Sequence, residues 1–122
     1  MQSFRELNVW KESRVFRNDV FELTKHFPND EKYKLSDQII RSSRGIGNAI
    51  AEGHGRFHYQ ENIQYCRIAR GSLEESLDHL IVALDCGYIN QEKFDDFEVH
   101  YKQILALLNG YIAYLNRRKK EQ

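Results

Sequence analysis

Apolar and small residues recur along most of the chain in steps of three and four, a spacing that only a helix places on one face. The pattern is strongest from Tyr33 to Phe57, where Leu35, Ile39, Ser42, Ile46, Ala49, Ile50 and Gly53 form one stripe and Arg41, Arg44, Asn48 and Glu52 the opposite face. That run stops at Gly53-His54-Gly55, where glycine is expected to supply the backbone freedom of a helix end. Before it, Trp10, Ser13, Phe16, Val20, Leu23 and Phe27 form a first helix closed by Pro28, and Ser36 is a candidate cap for the second. After it, Ile63, Cys66, Ala69, Leu73, Ser76, Leu77, Leu80, Ala83 and Leu84 predict a third helix, with Gly87 as a left-handed cap. Asn90 reads as the N-cap of a fourth, with Glu92 and Asp95 in its first turns and Phe94, Phe97, Tyr101, Ile104, Leu105, Leu108, Tyr111, Ile112 and Leu115 inward. It is expected to fray at Arg117-Arg118-Lys119-Lys120.

No strand-like alternation and no internal repeat survives over a useful length. The expected helices are about 8–27, 35–53, 59–86 and 91–116, with a tail at 117–122. Short connections between rods of such length favour antiparallel neighbours, so the fold class is all-α, an antiparallel up-down-up-down four-helix bundle. A chain of 122 residues forms one such domain, 1–122. Composition agrees: 41% hydrophobic, 30% charged and one proline suit a helical protein with little disorder outside its ends. Cys66 and Cys86 read as reduced packing thiols on one helix, too far apart to bridge. With neither a basic-then-apolar leader nor a membrane-length apolar run, the expected location is cytoplasmic, away from the membrane.

A formal net charge of zero hides a polarity. From Glu74 to Glu98 there are eight acids (Glu74, Glu75, Asp78, Asp85, Glu92, Asp95, Asp96 and Glu98) against one base, Lys93. In the expected topology these gather at one end, offset in part by Lys25, Lys32 and Lys34. The other end collects Arg5, His54, Arg56, His58 and the cluster from Arg117 to Lys120. A charge dipole follows.

The blocks Asp37-Gln38-Ile39-Ile40-Arg41, Gly45-Ile46-Gly47-Asn48-Ala49-Ile50-Ala51-Glu52-Gly53-His54-Gly55-Arg56 and Ile68-Ala69-Arg70-Gly71-Ser72-Leu73-Glu74-Glu75 carry a resemblance. They resemble the bacterial four-helix-bundle family of 23S rRNA-intervening-sequence proteins, which includes the accessory variability determinant of diversity-generating retroelements. The likeness runs from Leu7-Asn8-Val9-Trp10-Lys11 to Leu115 and departs at Gly45 and Gly47, where the family often has serine and proline. It implies self-association into a ring, with a homopentamer known in the family. It also implies a setting of ribosomal RNA insertions, or of RNA beside a reverse transcriptase.

Candidate chemistry is sparse. Glu52 lies in the last turn of a helix, at the unfavourable end of the dipole, so a cation must compensate it; Arg56 or a base of a neighbouring subunit fits. A salt bridge pinning the turn is the plainer reading than a catalytic carboxylate. Folding the second and third helices about Arg56 brings Arg41 near Gly71, so Arg41 is expected to pair with Glu74 or Glu75 while Gly71 admits a close neighbour. Together with Asn48 and Gly53 these are the structural motif positions. His54 and His58 lack an HExxH or CxxC partner pattern, and no metal or cofactor is expected. Ser42, Ser43, Ser72 and Ser76 read as small packing residues rather than nucleophiles. GIGNAIAEGHG lacks the strand and lysine of a phosphate loop. No catalytic residue is assigned.

Arg41, Arg44, Arg56, Arg67 and Arg70, with Tyr59 and Tyr65 among them, have the mixture of guanidinium and ring that RNA recognition uses, and Arg117, Arg118, Lys119 and Lys120 extend it. A solvated face of internal ion pairs is the alternative for a single uncharged chain, but a ring repeats a modest patch into a strong field. The expected function is a non-enzymatic, oligomeric accessory or scaffold protein on structured RNA. A protein-interaction module without nucleic-acid binding is the competing class.

Overall fold

The computed structural model describes residues 3–121. A single 3-10 turn, Phe4–Glu6, leads into α1 (Asn8–Thr24), and a second, Asn29–Glu31, precedes α2 (Leu35–His54). α3 (Tyr59–Asp85) and α4 (Gln91–Lys120) complete the described residues, among which there is no strand. Each helix packs on two others in the cyclic order α1, α2, α3, α4. Ser42 and Gly45 face Ser76 and Ser72, while Gly53 faces Tyr65 and Asn62, so α2 and α3 run in opposite directions. Glu74 meets Tyr101 and Gln60 meets Lys119, which makes α3 and α4 antiparallel as well. Glu12 with His100, and Asn8 with Leu107 along one groove, do the same for α1 and α4.

All seven positions of the α2 stripe are buried. The core continues through Phe16, which meets Phe97 and His100 edge-on, and through Leu73, Leu80, Ile104 and Leu108, none of which reaches solvent. Buried hydroxyls are paired within it: Ser13 donates to Trp10 O at 2.8 Å, Ser76 to Ser72 O at 2.9 Å, and the Ser42 and Ser76 hydroxyls lie 2.8 Å apart. These serines are helix-packing residues.

The ends of the helices depart from several expectations. α1 stops at Thr24, short of Phe27, in a succession of tight turns in which Lys25, His26 and Phe27 N–H groups reach back to Glu22, Leu23 and Thr24. Pro28 lies beyond the end rather than causing it. Ser36 is not a cap: it is buried inside α2, and the Leu35 N–H is met instead by the Glu31 carboxylate at 3.4 Å. Gly53 to Gly55 adopt no left-handed backbone, since among the described residues only Gly87 has a positive φ, +76°. Asn90 does cap α4, accepting from Lys93 N at 2.8 Å. α4 does not fray at Arg117; it continues to Lys120, favoured by four bases at its negative end. Cys86 lies exposed past the end of α3, outside the core, whereas Cys66 is buried and its thiol is pushed up to about 11 by loss of water.

Small residues at the seams are there for contact. A methyl group on Gly53 would sit 2.7 Å from Tyr65 Cβ and 3.2 Å from the Asn62 carbonyl. On Gly47 it would meet Ser13 Oγ at 3.1 Å and the Trp10 indole nitrogen at 3.3 Å. Gly71, expected to admit a neighbour, is exposed and has nothing within 4 Å of such a methyl. Gly53→Ala is therefore expected to destabilise the protein by about 1–3 kcal/mol through overpacking against backbone. Gly71→Ala should stabilise it by about 0.5–1 kcal/mol through helix propensity alone; urea unfolding of the two variants separates the effects.

Two tyrosines tie distant segments together through carboxylates. Tyr101 of α4 donates to Glu74 of α3, and burial and then that hydrogen bond push its hydroxyl up to about 12. Tyr88 donates to Glu31 at 2.8 Å, which raises it to about 12 as well. An unfolded tyrosine ionises near its ordinary value of about 10, so the stabilisation is complete below that pH and is lost as pH climbs toward 12. Unfolding midpoints measured over this interval should fall, and fall less steeply in Tyr101→Phe and Tyr88→Phe.

Candidate nucleic-acid interface

The α2–α3 turn is pinned by a small polar network. Arg56 donates to the Glu52 carboxylate at 3.4 Å and to the Tyr65 hydroxyl at 2.7 Å, and its other terminal nitrogen lies 3.7 Å from Glu61. Hydrogen bonding from Tyr65, then Arg56, holds Glu52 below the usual carboxylate range, while the hydrogen bond to Glu52 raises Tyr65. Arg56 is thus the cation that offsets a carboxylate at the negative end of α2. With its charged members exposed and Tyr65 half-buried, the network orients the turn more than it stabilises the fold.

Arg41 does not reach α3. Its side chain is 79% exposed and pairs with Asp37 on its own helix at 3.3 Å. Glu74 is taken by Tyr101 and Glu75 by His79 at 3.2 Å, so neither waits for Arg41. The expectation failed because rods of matched length fix the level of a residue along the bundle, not the direction in which its side chain leaves the helix.

The bases expected to act together are spread over different seams. Arg44 lies 5.4 Å from the Phe21 ring of α1, and Arg70 donates to Asn109 of α4 at 2.8 Å. Arg67 is exposed on α3, and Asn48 is exposed on α2. Arg118 donates to the Tyr59 hydroxyl at 3.4 Å and pairs with Glu121 at 3.2 Å, while Lys119 donates to Gln60. These last contacts put the end of α4 beside the start of α3, at the pole that holds the α2–α3 turn. Arg117 and Lys120 are exposed there.

At that pole opens a cleft of about 530 Å³. His54, Arg56 and His58 line one part of it, and Phe57, Tyr59, Tyr111 and Tyr114 supply rings. Asn62, buried beneath, donates to the Tyr111 hydroxyl at 3.1 Å. Among the described residues, no group of histidine, cysteine, aspartate and glutamate is placed to hold a metal ion.

A second basic surface joins Arg5 and Arg44, both singled out in the sequence, to three bases of α1 that were missed. On α1, the Arg14 and Arg17 guanidinium carbons each lie 5.8 Å from the centre of the half-buried Trp10 ring, and Arg5 and Lys11 border the same hollow. Arg44 reaches this side from α2. Among the described residues none of these five bases forms a salt bridge with an acid. The acids of α1 lie on its other edge: Glu12 meets His100 of α4, and Asp19 and Glu22 share a hollow with Asp96. The available signal was the spacing of Arg14 and Arg17 from Trp10, one and two turns on, which puts them beside its ring once α1 is a helix.

Comparison with known proteins agrees with this architecture. A protein of unknown function from the S23 ribosomal protein family of Bacteroides thetaiotaomicron is similar in structure, with a TM-score of 0.79 and 26% sequence identity, over 86% of this chain and 95% of that one. A search of curated proteins returns no match. No helix among the described residues is long and apolar enough to cross a membrane. Residues 5–110 match the model of the 23S rRNA-intervening sequence proteins, and the chain belongs to that family.

Proposed function

We propose that this protein is a non-catalytic, oligomeric accessory protein that holds structured RNA through its basic surfaces. The observation that carries the reading is the edge between α1 and α2, where Arg5, Lys11, Arg14, Arg17 and Arg44 stand around Trp10 and Phe21 and, among the described residues, form no salt bridge. A cation already neutralised within the protein gains little from a phosphate, whereas an unpaired one releases counterions from the nucleic acid on contact. The family description, with its reference to ribosomal RNA, supports the same class of partner. By the resemblance, the partner is ribosomal RNA or an RNA handled by a reverse transcriptase; the cytoplasm as the setting rests on the sequence pattern and the two free thiols.

Self-association, as a homopentamer by the resemblance, would repeat this edge around an axis and raise avidity without new contacts. Exposed Val99, Leu107 and Ile68 are apolar positions that such contacts can use. The same residues favour the competing reading, a protein-interaction module that binds no nucleic acid.

Light scattering with and without total RNA, joined to filter retention across a salt series, distinguishes the two. The RNA reading expects a discrete oligomer whose mass rises with RNA. It also expects retention to weaken in Arg14→Glu plus Arg44→Glu, with a salt slope shallower by about one for each phosphate that the variant no longer neutralises. Equal retention by wild type and variant at every salt concentration would leave the interaction module as the function.

A further inference from the structure

We propose that the cleft at the α2–α3 turn seats a single unpaired nucleobase of the bound RNA, with its flanking phosphates on the surrounding cations. The proposal rests on the RNA reading above and names what one part of that surface recognises.

The cleft has the volume of a small-ligand site, about 530 Å³. Its walls suit a flat, uncharged ring. Phe57 stands at the turn 94% exposed, an unfavourable position for a phenyl group with only the edge of His58, 5.0 Å away, beside it. Tyr114 is 46% exposed and lies nearly parallel to Tyr111, at 12° and 6.2 Å between centres, so one tyrosine supports the other from behind. A base entering between Phe57 and Tyr114 gains stacking surface that water does not provide.

Polar groups at the back and the rim complete the fit. The Tyr111 hydroxyl accepts from Asn62, which leaves its own proton free to donate to a base edge. Arg56, His54 and His58 contribute to the lining, and no aspartate or glutamate does. Arg118 and Lys119 are held beside it through Tyr59 and Gln60; Arg56 and Arg118 are also paired with Glu52, Glu61 and Glu121, so Lys119, which forms no salt bridge among the described residues, is the rim cation that gains most from a phosphate. By contrast, the hollow between α1 and α4 sets three carboxylates, Asp19, Glu22 and Asp96, against one lysine, Lys93, beside His26 and His100, a lining less suited to phosphate. Aromatic walls, a donor at the back and cations at the rim match one nucleotide of a single strand rather than a paired duplex, whose bases are stacked out of reach.

The test compares single-stranded oligoadenylate with an abasic ribose-phosphate strand of the same length, titrated against the full chain by fluorescence anisotropy. The two probes carry equal charge and differ only in their bases. Oligoadenylate is expected to bind about tenfold more tightly, the scale of one base stacked on an aromatic side chain. Phe57→Ala plus Tyr114→Ala should remove that difference while leaving abasic binding and the circular dichroism spectrum unchanged, both side chains being outside the core. Equal binding of the two probes by the wild type would overturn the proposal and leave the RNA reading standing. Binding of neither would defeat both. A variant that keeps the preference for oligoadenylate but falls to a smaller mass in light scattering would identify the cleft as a subunit contact, which also overturns the proposal.

Discussion

The close approach of α2 and α3 is the constraint on which the remaining structure depends. Ser42 and Ser76 touch through their hydroxyls, Gly45 lies against Ser72, and Gly53 leaves no room for a methyl beside Tyr65. A seam of small residues lets two helices approach until backbone and Cβ atoms are in contact, where larger side chains would hold them apart. This fixes how far the α2–α3 turn can swing, and with it the positions of Glu52, Arg56 and Phe57. Gly47 does the equivalent on the other side of α2, allowing the Trp10 indole to lie against it. Gly45 and Gly47 are thus contact positions for α3 and α1, and the helix runs through both without a break.

Electrostatics is layered on this frame rather than built into it. Four antiparallel helices bring two positive and two negative dipole ends to each pole, so the helix dipoles largely cancel and side chains decide the sign. One pole carries His54, Arg56, His58 and the cluster from Arg117 to Lys120, and the other gathers Glu92, Asp95 and Asp96 near the start of α4. A second division runs lengthwise along α1, with Arg14 and Arg17 on the α2 side and Glu12 on the α4 side. Zero net charge therefore coexists with surfaces of strong and opposite sign.

Much of the architecture was legible in the sequence because burial imposes a period and the period is visible. The α2 stripe follows from that fact, while the Asn90 and Gly87 caps were legible from residue type and the antiparallel order from short connections. Side-chain direction was less legible. Arg41 and Glu74 are at similar levels in the bundle, but their partners, Asp37 and Tyr101, lie along the chain or on another helix. Gly71 and Gly53 look alike in sequence, and only the packing tells which is crowded. The basic edge of α1 went unread for a related reason: acids and bases alternate along that helix, and their separation onto two edges exists only once α2 and α4 are in place.

Persistence of α4 to Lys120 changes what the final basic cluster can do. In a frayed tail, four cations sample many arrangements and each contact with a phosphate must offset the entropy of ordering it. In the helix their directions are set: Arg118 reaches Tyr59 and Lys119 reaches Gln60 across the seam with α3, while Arg117 and Lys120 point to solvent. The negative end of the helix favours the cations, and the cations in turn hold the last turn helical. The same charges that would make a tail merely adhesive thus become a fixed rim beside the aromatic cleft, and a fixed rim can distinguish one shape of anion from another.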